Sequence, residues 1–180
     1  MSINQKLIET NVLALEEGAE LLRVLENNQY TEGYKPAFHS TIGAHFRHVL
    51  EHYRCFLRQR ECLQFCYDKR ERDQQLESDA EYAKTTINEL ILGLKEVESQ
   101  AFEQSYTIID EQSDAPVQTN LERELLFLQS HTVHHYAIIG AMTRALGNQT
   151  DDEFGVAIAT RTHQKKQTDT KPGEASQCAQ

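Results

Sequence analysis

Apolar residues recur at three- and four-residue steps along four stretches of the chain, and each stretch predicts a helix. The first carries Ile8, Val12, Leu15, Leu22 and Leu25 behind Ser2, a capping residue, and predicts a helix over about residues 3–27, ending at Asn27-Asn28. Tyr30 to Phe38, with Gly33 and Pro36, reads as a loop, after which Ser40 or Thr41 restarts a helix over about 41–63 with Ile42, Phe46, Val49, Tyr53, Phe56 and Leu57. A charged connection, Tyr67-Asp68-Lys69-Arg70-Glu71-Arg72-Asp73, leads to Ser78 and a third helix over about 79–100 with Ala83, Ile87, Leu90, Leu94 and Val97. Tyr106 to Gln118 mixes β-branched and polar residues around Ser113-Asp114 and Pro116, which suits a loop or short hairpin. Thr119 and Glu122 have capping-box spacing at the head of a fourth helix that reaches Leu146 and stops at Gly147-Asn148. One short turn of helix is expected within Asp151 to Thr162. The pattern predicts an all-α four-helix bundle over residues 1–163 with a short C-terminal extension, and a disordered polar tail over 164–180 that contains Pro172-Gly173.

Composition narrows the partners. A chain of 180 residues with 39% apolar content builds one sizeable core rather than two. A formal charge of −10 and a pI near 5.2 repel phosphate backbones and anionic lipid, so neither nucleic acid nor membrane is expected as a partner. Met-Ser-Ile-Asn-Gln-Lys lacks the basic start and apolar centre of a signal peptide, and no apolar run approaches membrane-spanning length. A cytoplasmic location is the expectation. Cys55, Cys62, Cys66 and Cys178 form no C-x-x-C pair, and although Cys62 and Cys66 could share a helix face, the cysteines read as reduced packing residues.

Six of the eight histidines fall in two clusters, His45, His48 and His52 on the second helix and His131, His134 and His135 on the fourth. Winding the fourth helix at about 100° per residue places His131 and His135 in the stripe of Leu121, Leu125, Leu128, Ile139, Met142 and Leu146, and puts His134 off it. Two neighbouring imidazoles on an apolar face are costly unless hydrogen bonds or a metal ion satisfy their nitrogens. On the second helix His45, His48 and His52 all fit one flank of the apolar stripe, and periodicity slightly favours His45 or His52. One ligand there plus two on the fourth helix makes three protein ligands and leaves positions open for water or substrate.

Ile42-Gly43-Ala44-His45-Phe46-Arg47-His48-Val49-Leu50-Glu51-His52-Tyr53 and Ser130-His131-Thr132-Val133-His134-His135-Tyr136 together resemble the DinB/YfiT-like metalloprotein superfamily, whose pattern is one histidine on the second helix and H-x-x-x-H on a later one. The resemblance extends through Tyr67 to Arg72, Arg123-Glu124-Leu125 and Phe154-Gly155-Val156-Ala157, and covers about residues 3–163. It departs at Ile158, where relatives often carry proline. It implies His48, His131 and His135 as metal ligands, His48 being matched through Phe56 and Leu57, eight and nine positions later. It also implies a divalent ion, zinc, nickel or iron, and a small-molecule substrate, a low-molecular-weight thiol held as thiolate for transfer or activation. Relatives often associate, so a homodimer is expected. The alternatives are a metal-dependent hydrolase and a non-catalytic, metal-stabilised binding module. Glu51, one turn from His48, and Arg70 and Arg72 in the charged connection invite roles as a base and as carboxylate binders, but such positions are usually solvated, and no role is assigned to them.

Overall fold

The computed structural model describes residues 1–33, 39–111 and 115–169. Its four long helices are α1 (Ile3–Val24), α3 (Ile42–Gln59), α5 (Ala80–Lys95) and α6 (Leu121–Ala145), with the short α2 (Asn27–Thr31) and α4 (Gln74–Ser78) in the connections and α7 (Ile158–Asp169) after the bundle. The fold is all-α but for a small sheet: β1 (Gln64–Phe65) lies parallel to β2 (Tyr106–Ile109), which pairs antiparallel with β3 (Pro116–Thr119). The Tyr106 to Gln118 segment is thus the hairpin rather than the loop, with Val117 opposite Ile108. Its residues 112–114, the Ser113-Asp114 expected at its centre, lie outside the described residues.

The caps explain where the helices start. Ser2 and Gln5 bond reciprocally at the head of α1, and Thr41 accepts the Ala44 N–H at the head of α3. Asp79, not Ser78, caps α5 by accepting from Glu81 and Tyr82. Asn120 caps α6 through the Arg123 N–H, one residue after the expected Thr119, because Thr119 ends β3 and donates its hydroxyl to Glu124 instead. The helices end short of the expected limits. Beyond α1, Glu26 and Gln29 form a second capping box that starts α2, within the stretch read as loop, and Tyr30 buries there with its hydroxyl on the Leu76 carbonyl. Pro36 lies outside the described residues. Beyond α3 the chain tightens into a 3-10 turn at Arg60–Cys62 and leaves it through Leu63 at φ 54°, a left-handed conformation that cannot continue a helix.

One core joins these elements. Leu15, Phe46, Val49, Leu50, Phe56, Ile87, Leu94, Leu125, Leu128, Ile139 and Met142 are fully buried, and each such side chain contributes roughly 1.5–3 kcal/mol of transfer free energy. The segment after α6 returns to it. Phe154 stacks on Tyr136 at 4.8 Å, and Gly155, at φ 73°, sits where a Cβ would stand 2.4 Å from the Ala137 nitrogen. Only glycine fits that approach. Arg161 then grips Glu17 of α1 with both guanidinium nitrogens, at 2.6 and 2.9 Å. This contact belongs to a helix of twelve residues rather than one short turn. α7 runs on to Asp169, into the stretch read as tail, and residues 170–180 lie outside the described residues.

Candidate metal centre

α3 and α6 pack against each other and bring their histidine clusters face to face. The centre of the buried face of α6 is held by Thr132 and Tyr136, not by the histidines. Thr132 donates to the Leu128 carbonyl at 2.7 Å and lies 3.2 Å from the hydroxyl of Tyr53 of α3, which donates to Asn11 of α1. This satisfied network ties three helices together and sets the depth at which their faces meet. His131 and His135 sit beside it, partly buried, at the rim of the apolar stripe rather than within it. The rim position leaves the cluster reachable from solvent.

His48, His131 and His135 each offer a ring nitrogen, and these nitrogens all lie within 4.8 Å of one another. Nε2 of His48 stands 3.0 Å from Nε2 of His131, and the His131 and His135 rings approach to 4.6 Å between centroids, as do those of His48 and His135. Two nitrogens on one tetrahedral zinc ion, each at about 2.0–2.1 Å, stand about 3.4 Å apart, so the His48–His131 pair, at the 3.0 Å of a hydrogen bond, needs to open by only a few tenths of an ångström to admit an ion. Nδ1 of His131 is buried with no hydrogen-bond partner, so the polar contact of this ring is at Nε2, toward His48. The donor set suits a divalent transition-metal ion, and the cluster can hold one.

The remaining histidines divide by what they touch. His52, buried, has Nδ1 2.6 Å from the His48 carbonyl, so Nδ1 carries the proton and Nε2 faces the Arg70 guanidinium at 3.4 Å. Its ring also stacks on Tyr67 at 5.4 Å and meets His131 at 4.2 Å. His52 therefore backs the cluster rather than joining it. His45 places Nδ1 2.9 Å from Nδ1 of His135. His134 is exposed and touches His135 edge-on at 5.3 Å.

Burial keeps these rings neutral. It pushes His48 down to about 4, with the positive charge of Arg70 adding to the effect. It pushes His135 to about 3 and His131 to about 2, each lowered further by neighbouring rings. His52 falls to about 3, burial outweighing its bond to the His48 carbonyl. Neutral imidazole is the form that binds metal.

Residues given no role in the sequence reading acquire one here. Glu51 is buried, not solvated: it accepts the Asp73 N–H at 2.5 Å and lies 4.0 Å from Nε of Arg70, so it anchors the charged connection. That connection folds over the histidines. Tyr67 donates to the buried Glu124 at 2.8 Å, and Arg70 donates to the Tyr67 carbonyl. Arg72 is exposed, at φ 56°. No spacing rule would have found Tyr67 or Phe127, whose ring stacks on His131 at 5.5 Å. Cys55 and Cys66 are buried free thiols, Cys62 is an exposed free thiol on the 3-10 turn, and Cys178 lies outside the described residues.

The pattern of the DinB family matches residues 1–156, which includes both histidine clusters and the Phe154-Gly155 return. The chain belongs to the DinB family. The chain is also 33% identical over 107 residues to FK506-binding protein 5 of Rhizopus delemar, a match that covers 56% of this chain and 28% of that protein. The chain thus spans just over a quarter of the length of that relative. No solved structure matches it. Among the described residues no helix is long and apolar enough to cross a membrane.

Proposed function

We propose that this DinB-family protein is a divalent-metal-dependent enzyme that transfers or activates a low-molecular-weight thiol, with His48, His131 and His135 as the metal ligands. The convergence of three partly buried imidazoles, with ligand nitrogens within 4.8 Å, carries the reading. Three protein ligands leave coordination positions open, as catalytic sites do and closed structural sites do not. A divalent ion held there would lower the pKa of a bound thiol so that it binds as the thiolate. The charge of Arg70 supports an anion at that place: the field that disfavours imidazolium at His48, His52 and His131 favours a negative sulfur. Tyr67, Phe127 and His52 supply an aromatic wall on one side of His131.

The test is a screen of the zinc-, nickel- and iron-loaded protein for conjugation of small thiols to electrophiles, with and without chelator. Chelator-sensitive, thiol-dependent turnover supports the proposal. Turnover by water alone would replace it with a metal-dependent hydrolase, and metal binding without turnover would leave a metal-stabilised binding module.

A further inference from the structure

Among the three converging histidines, His135 has a hydrogen-bond partner for a ring nitrogen that lies outside the cluster. Nδ1 of His45 stands 2.9 Å from Nδ1 of His135, with the ring centroids 5.2 Å apart. In such a contact one nitrogen carries the proton and the other offers its lone pair. If His45 donated, the proton of neutral His135 would sit on Nε2 and block that nitrogen from an ion. If His135 donates, its Nε2 lone pair is free.

We propose that His45 is a positioning residue of the metal centre: its Nδ1 accepts the Nδ1–H of His135 and so holds His135 in the tautomer and orientation that present Nε2 to a divalent ion. The inference rests on the metal-site reading above. His45 lies in the first turn of α3, three residues before His48, so one helix face delivers both a ligand and the partner of another ligand. The contact spans α3 and α6, which makes the aim of His135 depend on how these helices pack. His131 has no comparable support, its Nδ1 being buried and unpartnered. Partners of this kind fix ring orientation and raise ligand basicity.

Zinc affinity measured by competition titration in wild type, His45→Ala and His45→Gln tests the assignment, together with cobalt(II) absorption spectra and 15N NMR of the zinc-loaded wild type. The expected result is a loss of about 10–100-fold in affinity for His45→Ala. Most of it should return in His45→Gln, whose amide oxygen can accept the same proton. The cobalt spectrum should report the same coordination number in all three proteins, and the NMR should show His45 protonated on Nε2 alone. Equal zinc affinity in His45→Ala and wild type would overturn the proposal. So would a lower coordination number in that variant, which would make His45 itself a ligand, or a proton on Nδ1 of His45. Should His45→Ala not fold, the wild-type NMR decides alone. A wild type that binds no zinc would instead overturn the metal-site reading, and this inference with it.

Discussion

Replacing His131 with alanine separates a metal ligand from a packing residue, because the loss of a ligand shows in the metal-loaded protein and hardly at all in the metal-free one. In the metal-free protein the change removes a buried Nδ1 without a partner, an atom whose burial costs about 1–3 kcal/mol. It also removes the Nε2 contact with His48 at 3.0 Å and the ring contacts with Phe127 at 5.5 Å and His52 at 4.2 Å, together a loss of similar size. The two nearly cancel, so the melting temperature of the metal-free variant should stay close to that of wild type. In the loaded protein the balance is different. An ion at about 100 times its dissociation constant stabilises the folded state by about 2.7 kcal/mol, and for a chain of this length each kcal/mol is worth about 2–4 °C. Zinc should therefore raise the wild-type melting temperature by about 5–11 °C and leave His131→Ala unmoved. His134→Ala, which removes an exposed ring that only flanks His135, should keep most of the rise. Thermal melts of the three proteins with and without zinc are the assay. A full zinc-induced rise in His131→Ala, or none in His134→Ala, would refute the ligand assignment.

The cluster histidines also set a pH dependence. Their folded-state values, about 4 for His48, 3 for His52 and His135 and 2 for His131, lie below the ordinary 6.5 of the unfolded chain. Below pH 6.5 the unfolded chain therefore binds protons that the folded chain refuses, and metal-free stability should fall as pH drops from 6.5 to 5; flat denaturant midpoints over that range would contradict the assignment of these rings as buried and neutral. Gly155→Ala should destabilise the protein by about 1–3 kcal/mol, because its φ of 73° and the Ala137 nitrogen 2.4 Å from the added Cβ both oppose it; an unchanged urea midpoint would show that the return after α6 gives way. A homodimer is expected in solution, and light scattering that returns the 20.7 kDa mass of one chain would remove that expectation.

How much of this was legible in the sequence varies from element to element, for physical reasons. The four long helices could be read because each buries one face, so their apolar spacing is a direct record of packing. Helix ends were misjudged where two capping groups compete: Thr119 has the right spacing to cap α6, but a strand ends on it and Asn120 takes the role. The H-x-x-x-H pair of His131 and His135 is visible because i and i+4 share a face. The choice among His45, His48 and His52 is not, since all three lie on one flank of α3 and their distances to α6 decide it. The resemblance, and not periodicity, singled out His48. Glu51 shows the limit most plainly. As a charged residue on a helix flank it reads as solvated, yet a connection more than twenty residues downstream folds over it and buries it through the Asp73 N–H.

His48, His131 and His135 are proposed to hold one divalent ion together. Elemental analysis of the purified wild-type protein, stripped with chelator, reloaded with zinc and dialysed, tests it most directly. About one ion per chain is expected in the wild type and a large loss in each of the three single alanine variants, with the variants still helical by circular dichroism. A wild-type protein that retains no ion after reloading, or variants that each retain a full one, would contradict it.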